Sequence, residues 1–331
     1  MHINSISSRV LQIVLASITF FCASAMAAPV LQEHSVKIDG KQRRYYHLHS
    51  VKIDGKQRRY YHLSDPAAIT PGRPILLVSG SGCDDFAVRL PMFFERYPGA
   101  VNVYYLEKPG VAKNADGSKC SEAFLAADQF GKRLSDHLKF LSLEPELKKM
   151  PARSIAVLGF SEGGAVAPYI ARDSNKIGWL ATAGSGGLPQ SEEFLIFADR
   201  GVEPYAKPFS RDYFLHVYAE IKKDGKSLKK EFFGHPYAYW SGHLFTYPLN
   251  VYASLNIPMV VAMGEKDESV PIESGHALRD HFLKHPEKDF QFVEFPGASH
   301  GLRSGDRNGA QEFVSGLAGW FKGDKRAFEL K

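Results

Sequence analysis

The sequence has no run of about 20 consecutive apolar residues, the length that a membrane-spanning helix requires. Its apolar stretch at residues 10–21 is shorter, follows the basic Arg9 and precedes the small residues Ala25 and Ala27. A basic residue, a short apolar segment and small residues at a cleavage position are typical of a secretory signal peptide. We therefore expect residues 1–27 to be removed by cleavage near Ala27. The mature chain is predicted to be secreted or periplasmic, with no stable membrane span.

Neither sign of charge dominates the sequence, in which 41 Lys and Arg residues stand against 36 Asp and Glu residues, a net charge of +5. The small excess is local, because residues 34–48 and 49–63 are a tandem duplication of the basic segment HSVKIDGKQRRYYHL. A nucleic-acid footprint requires Lys and Arg clustered across a binding face. The sequence therefore predicts no nucleic-acid partner.

The duplication lies in an N-terminal segment, residues 28–63, and each copy predicts a β-hairpin. Val-Lys-Ile alternates, Asp-Gly is a two-residue turn signal, and Arg-Tyr-Tyr-His-Leu can return as the second strand. Only one hairpin can lie beside the next strand of the chain. We predict that the second copy does so, because the linker of residues 64–73 fixes its distance to that strand. The first copy is then an extra ribbon or a mobile arm.

Cysteine is scarce. One of the three cysteines, Cys22, falls within the predicted signal peptide, so the mature chain keeps only Cys83 and Cys120. Two cysteines in an oxidising compartment usually pair. We expect a disulfide between them; the alternative is two buried free thiols.

Motifs for a dinucleotide and for a metal are incomplete. Gly80-x-Gly82 lacks the third glycine of a dinucleotide-binding loop and has Asp85 in its place. His281 and His285 have the spacing of a zinc pair, but the segment lacks the Glu of H-E-x-x-H and an evident third ligand. The sequence predicts neither an organic cofactor nor a metal.

From residue 74 onward, apolar runs typical of buried strands alternate with helical patterns. The predicted strands are residues 74–78, 101–106, 154–158, 177–183, 258–263 and 290–295. This alternation indicates an α/β protein with a mostly parallel central sheet and helices on both faces. Functional sites in such sheets lie at the carboxyl ends of the strands.

One segment, residues 188–256, interrupts the alternation. Aromatic residues are much denser there than the 12% of the whole chain. We expect a helical cap inserted into a core made of residues 64–187 and 257–331, with most of the rings packed in the cap itself. Pockets are lined mainly by apolar and aromatic side chains, so the rings of residues 237–240 and 245–247 are candidates to face the site.

A candidate nucleophile stands in Gly159-Phe160-Ser161-Glu162-Gly163. An apolar strand precedes this pentapeptide and a helix of small residues follows it, which is the context of a nucleophile elbow. Because a serine hydroxyl is a weak nucleophile until a base takes its proton, Ser161 requires a partner.

His300, in a loop after the last predicted strand, is the candidate base. A carboxylate must hold its ring in the reactive tautomer. Asp267 is preferred for this role because its distance from the preceding strand and the Val-Pro after it fit an ordered turn into a helix. Glu265 and Glu268, on the same loop, are the alternatives.

The developing oxyanion requires two backbone N–H groups. One is predicted to belong to Glu162, directly after the nucleophile. The other is predicted to belong to Ser81, with Gly82 as the alternative, because glycine in Ser-Gly-Ser-Gly allows the backbone to approach a substrate closely.

Over roughly residues 50–325 the chain resembles the α/β-hydrolase family, and it has the family order Ser161, Asp267, His300. The resemblance implies a capped sheet, no metal or cofactor, and a serine hydrolase that cleaves a carboxylic ester or related acyl bond of a small-molecule substrate through an acyl-enzyme. A peptidase or amidase of the same fold and a non-catalytic exported binding protein are the alternatives. The chain departs from the family at Ser79-Gly80, where a His-Gly pair is common.

Overall fold

The computed structural model of the protein describes residues 33–38, 41–65 and 68–329. The predicted signal peptide and its cleavage position lie outside these residues. None of the helices in the described ranges is long and apolar enough to cross a membrane.

Two short ribbons and one large sheet contain all the strands of the described residues. In chain order the strands are β1 (Glu33–Ile38), β2 (Lys41–Ile53), β3 (Lys56–Ser64), β4 (Ile75–Val78), β5 (Asn102–Leu106), β6 (Ile155–Phe160), β7 (Ile177–Ala183), β8 (Glu231–Phe232), β9 (His235–Pro236), β10 (Met259–Gly264), β11 (Phe290–Phe295), β12 (Arg303–Ser304) and β13 (Arg307–Asn308). The ribbons are β8 with β9 and β12 with β13.

The large sheet has nine strands in the described part of the chain, in the order β1-β2-β3-β5-β4-β6-β7-β10-β11. All neighbours from β5 to β11 are parallel, and β1, β2 and β3 add an antiparallel edge. Every residue of β4 and β10 is buried, as expected for strands covered on both faces. The predicted mostly parallel sheet is confirmed.

Helices cover both faces of this sheet. The α-helices of the described residues are α1 (Leu90–Phe93), α2 (Glu122–Ala127), α3 (Phe130–Leu143), α4 (Pro145–Lys149), α5 (Glu162–Asp173), α6 (Gln190–Asp199), α7 (Arg211–Lys223), α8 (Tyr237–His243), α9 (Pro248–Ser254), α10 (Ile272–Leu283) and α11 (Gly309–Trp320). Successive strand residues point to opposite faces, so Leu77 packs in one core cluster with Phe313 of α11, and Leu76 packs in the other with Val166 of α5.

The duplicated segment extends the sheet. Its second copy is innermost, as predicted, because β3 pairs with β5. The neighbour differs from the prediction, however: it is β5 and not β4, the strand that follows the linker, since β5 and β6 already occupy both edges of β4. The two copies share β2, which joins the return strand of the first to the outgoing strand of the second. Asp54 and Gly55 turn from β2 to β3 with φ values of 49° and 76°, as a type I′ hairpin turn requires.

Between β7 and β10 the chain runs through α6, α7, the β8–β9 ribbon, α8 and α9. Aromatic side chains from α6, α7, β8 and α8 pack on one another in a cluster of their own, with Phe214 fully buried at its centre. The last helix, α9, packs instead against α5 of the sheet layer. The aromatic cluster is therefore the apolar core of the segment that precedes α9.

Candidate active site

Ser161 occupies a sharp turn between β6 and α5. Its backbone has φ 52° and ψ −124°, a conformation that is costly for any residue with a Cβ atom. The first turn of α5 packs closely against the end of β4. A Cβ on Gly163 would collide with the backbone of Val78 and Ser79, so only glycine fits there. The absence of a side chain at Gly163 allows the turn to place the Ser161 side chain at the carboxyl end of β6.

The loops after β10 and β11 bring Asp267 and His300 to the same edge of the sheet. His300 Nε2 lies 2.9 Å from Ser161 Oγ, and His300 Nδ1 lies 2.9 and 3.0 Å from the two carboxylate oxygens of Asp267. The Asp267 side chain is fully buried, and its Oδ1 also accepts from the backbone N–H groups of Ser269 and Val270 at 2.8 Å. The structure thus joins the three predicted side chains in one hydrogen-bonded chain.

The two competing carboxylates on the loop after β10 bind the backbone and not the His300 ring. Glu265 accepts a hydrogen bond from the N–H of Gly297 at 2.7 Å, and Glu268 accepts one from the N–H of His300 at 3.0 Å. Both therefore hold the loop after β11 in place. Of these three carboxylates, only Asp267 is hydrogen-bonded to the imidazole.

The protonation of His300 depends on opposing influences. Burial lowers its pKa, but the hydrogen bond and charge of Asp267, with the charge of Glu268, outweigh burial and raise the pKa above its ordinary value of 6.5. These carboxylates favour the imidazolium that forms when the ring takes a proton.

The predicted oxyanion loop follows β4, and two of its carbonyl groups are bound by buried cations. Ser79 O accepts from Arg133 at 2.7 Å, and Gly80 O accepts from Lys108 Nζ at 2.9 Å. Gly80 lies against the nucleophile, because a Cβ there would be 3.2 Å from Ser161 Cβ. Ser81, the predicted donor, lines the same cavity. Its role stays a prediction.

A disulfide joins Cys83 at the end of this loop to Cys120, with 5.5 Å between the Cα atoms. The predicted pairing is confirmed. The bond ties the loop to the segment that precedes α2.

A cavity of about 540 Å³ opens above Ser161 and His300. Two of the aromatic residues predicted as candidates, Tyr239 and Trp240, contribute to its wall, and Thr246 comes from the second candidate stretch. Sequence reasoning missed the contribution of Tyr205, whose position in the wall depends on how the segment after β7 folds back.

No family model matches the sequence, and no curated protein matches it. In structure the chain is similar to Est1E from Butyrivibrio proteoclasticus, with 15% identity and a TM-score of 0.52 over 85% of this chain and 99% of that one. It is also similar to an acylaminoacyl peptidase from Pyrococcus horikoshii, with 14% identity and a TM-score of 0.55 over 85% of this chain and 41% of that one. A puromycin hydrolase gives 16% identity and a TM-score of 0.55 over 88% and 41% of the two chains. This chain has the α/β-hydrolase fold.

The α/β-hydrolase fold was predicted from the sequence, and these similarities confirm it. The chain spans 41% of the peptidase and of the puromycin hydrolase, so it corresponds to one part of those longer proteins. Identities of 14 to 16% describe a shared architecture. The choice of substrate depends on the side chains that line the cavity of this protein.

Beneath the elbow of this α/β-hydrolase fold lies a buried charge cluster that sequence reasoning missed. Arg133 of α3, itself 2% exposed, donates a hydrogen bond to the Glu162 carboxylate, and Tyr239 of α8 donates to its other oxygen at 2.5 Å. His243 and Asp128 complete the cluster. A signal was present in the sequence, because Arg133 stands at helical spacing among the apolar residues Phe130 and Phe140, on the face expected to be buried.

The cluster keeps Glu162 ionised. Burial raises the pKa of Glu162, but the charges of Arg133 and Lys108 and the hydrogen bond from Tyr239 bring it well below its ordinary value. Burial lowers the pKa of His243 to about 4, so this ring is neutral at physiological pH. The Glu162 side chain is therefore a structural anion below the site. Its backbone N–H, at the start of α5, is among the N–H groups that a helix leaves without an internal partner.

Proposed function

We propose that this chain is a serine hydrolase that cleaves a carboxylic ester or a related acyl bond through an acyl-enzyme. The observation that carries the proposal is the hydrogen-bonded chain from Ser161 through His300 to Asp267, which opens into the cavity. A serine hydroxyl linked in this way to a base, and the base to a buried carboxylate, is the arrangement that activates serine for attack on a carbonyl carbon.

The reaction follows from the positions of these groups. Ser161 Oγ attacks the carbonyl carbon while His300 Nε2 takes the hydroxyl proton, and Asp267 stabilises the imidazolium. The negative charge on the carbonyl oxygen is stabilised by the N–H of Glu162 and an N–H of the loop after β4, for which Ser81 is the candidate. His300 then gives its proton to the leaving group. Water, activated by the same ring, attacks the acyl-enzyme and releases the acid.

The proposed partner is a small-molecule acyl substrate, and the proposed compartment is the periplasm or the cell exterior. The Cys83–Cys120 disulfide supports this location, because disulfides form and persist where the environment is oxidising.

The direct test is covalent labelling with a fluorophosphonate, followed by turnover of p-nitrophenyl esters and aminoacyl anilides. We expect labelling of Ser161 and faster turnover of the esters. Preferred turnover of anilides would identify a peptidase or amidase instead. An intact, folded protein that neither labels nor turns over either class would be the exported binding protein, and the proposal would be wrong.

The pH dependence of kcat/KM should follow His300. The ring must be neutral to accept the proton, so activity is complete above its folded-state pKa and falls about tenfold per pH unit below it. Because the surrounding carboxylates raise this pKa, the midpoint should lie above 6.5. A profile for a neutral ester, measured from pH 4 to 9, checks this. A midpoint below 6.5 would contradict the assigned environment of the ring.

The three carboxylates after β10 should respond differently to neutral substitution. Asp267→Asn should lower kcat by about 10³- to 10⁴-fold, because the amide no longer stabilises the imidazolium and favours the wrong tautomer. Glu265→Gln and Glu268→Gln are matched controls that should stay within about tenfold, since their carboxylates bind only backbone N–H groups. Turnover per fluorophosphonate-titrated site is the measurement. A larger loss in Glu268→Gln than in Asp267→Asn would transfer the role to Glu268.

A further inference from the structure

The cavity is also lined by a buried carboxyl group that takes no part in the hydrogen bonds between Ser161, His300 and Asp267. Glu193, in the first turn of α6, is 6% exposed and lines the cavity together with Ser161 and His300. Its Oε1 accepts a hydrogen bond from Ser274 Oγ at 2.6 Å. Within the described residues its Oε2 has no hydrogen-bond partner, and it is not among the polar atoms sealed from solvent. Oε2 is therefore the carboxyl oxygen that remains accessible, and a ligand in the cavity that Glu193 lines could reach it.

Ser274 determines which oxygen of Glu193 can carry a proton. Its hydroxyl accepts from the N–H of Leu188 at 3.0 Å and has a single proton, which it donates to Glu193 Oε1. A proton on the carboxyl group therefore resides on Oε2. Because Ser274 is itself fully buried, it holds the Glu193 carboxyl from the interior of the protein.

The surroundings of Glu193 keep its carboxyl uncharged at neutral pH. Burial raises its pKa to about 8, against the lowering effect of the Ser274 hydrogen bond. The titratable groups around it are those of its own helix, of the loops after β10 and β11, and of the segment after β7: Glu192, Asp267, Glu268, His300, Tyr205 and Tyr218. The charges of Asp267 and Glu192 raise the pKa of Glu193 further, whereas His300 lowers it, and burial remains the largest influence.

Glu193 lies near His300, because each group influences the pKa of the other. The loop that leads from β7 to α6 passes the imidazole, because a Cβ on Gly184 would be 3.0 Å from His300 Cε1. His300 must deliver its proton to the leaving group, so the leaving group occupies this side of the cavity. Asp267 and Glu268 disfavour an anionic group there. This part of the cavity therefore favours a leaving group with an uncharged oxygen that can accept a hydrogen bond.

We propose that Glu193 is a specificity residue, which donates a hydrogen bond from its Oε2–H to an uncharged acceptor oxygen in the leaving group of the substrate. The inference rests on the proposed acyl transfer and deepens it. It predicts esters of alcohols that carry an ether, hydroxyl or carbonyl oxygen a few bonds from the scissile ester. Such a hydrogen bond in a buried cavity should favour these esters about three- to tenfold.

Two esters of one acid, 2-methoxyethyl butyrate and butyl butyrate, differ only by an oxygen in place of a methylene. Dividing their rate ratio by the ratio for hydroxide-catalysed hydrolysis removes the effect of the ether oxygen on the intrinsic reactivity of the leaving group. The measured quantity is the ratio of their kcat/KM values. We expect wild type to prefer the methoxyethyl ester at pH 7, Glu193→Gln to keep the preference through its amide N–H, and Glu193→Leu to bring the ratio near one. Glu192→Gln, on the exposed side of the same turn, is the matched control and should equal wild type.

The pH dependence of the ratio gives a second measurement that a purely structural role would not change. In wild type the preference should be complete below pH 7 and disappear above about pH 9, as Glu193 ionises through its pKa of about 8. In Glu193→Gln the ratio should stay constant. This comparison does not require Glu193→Leu to fold.

The outcomes separate the two proposals. Turnover and fluorophosphonate labelling with equal rates for the two esters, or a wild-type ratio that does not change between pH 7 and 9, would overturn the inference and leave the hydrolase proposal standing. A wild-type protein that neither labels nor turns over either ester would overturn the proposed function and the inference with it.

Discussion

Ser161→Ala should lower kcat toward p-nitrophenyl esters by about 10⁵- to 10⁶-fold, because the residues that activate and hold the nucleophile act as one unit. The variant should keep its fold, since alanine retains the Cβ and removes only the Oγ that contacts His300. Residual activity should come from whatever the oxyanion donors and the cavity contribute alone.

The matched control for this substitution is Ser174→Ala, at the other end of α5 and far from the cavity. Its turnover should match that of wild type. If Ser161→Ala kept even a tenth of the wild-type kcat in protein free of wild-type contamination, Ser161 would not be the nucleophile.

Arg133→Met should destabilise the protein by about 3–5 kcal/mol, because it leaves buried anions without their principal counter-ion. The Glu162 carboxylate would lose the partner that keeps it ionised, and Asp128, whose carboxylate oxygens have no hydrogen-bond partner among the described residues, would lose a neighbouring cation. The free energy of unfolding in urea is the measurement. Activity should fall as well, since Arg133 also binds the carbonyl of Ser79 behind the proposed oxyanion loop.

Two further variants make the Arg133 result interpretable. Arg172→Met breaks the exposed pair with Asp173 and should cost less than about 1 kcal/mol. The double variant Arg133→Met with Glu162→Gln should recover part of the loss, because it removes one of the uncompensated charges. A loss for Arg133→Met no larger than that for Arg172→Met would show that the buried cluster does not stabilise the fold.

Sequence patterns identify features of this protein that depend on neighbouring residues. Gly159 and Gly163 on either side of Ser161 predict the tight turn. The structure gives the reason, because a Cβ at Gly163 would collide with the end of β4. Fully apolar runs of residues predict strands that are covered on both faces of the sheet. Once the strands are parallel, their carboxyl ends meet at one edge, so the loops with Asp267 and His300 are expected near Ser161.

Contacts between distant segments were beyond the reach of these patterns. Glu162 is 29 residues from Arg133, and Glu193 is 81 residues from Ser274. A carboxylate in the sequence carries no sign of whether its partner is a cation, a serine or water. For that reason the sequence predicts the backbone N–H of Glu162 as an oxyanion donor but does not predict the partners of its carboxylate, and it gives Glu193 no role.

The sequence by itself determined the class of the sheet, the turn that presents Ser161 and the disulfide, because each is encoded in local spacing or in the small number of available partners. Only the tertiary structure decided which strand receives the duplicated segment, which carboxylate after β10 contacts the imidazole, and which buried acids keep or lose their charge. These outcomes depend on edges already occupied, on distances between loops of different strands, and on the burial and neighbouring charges that fix each pKa.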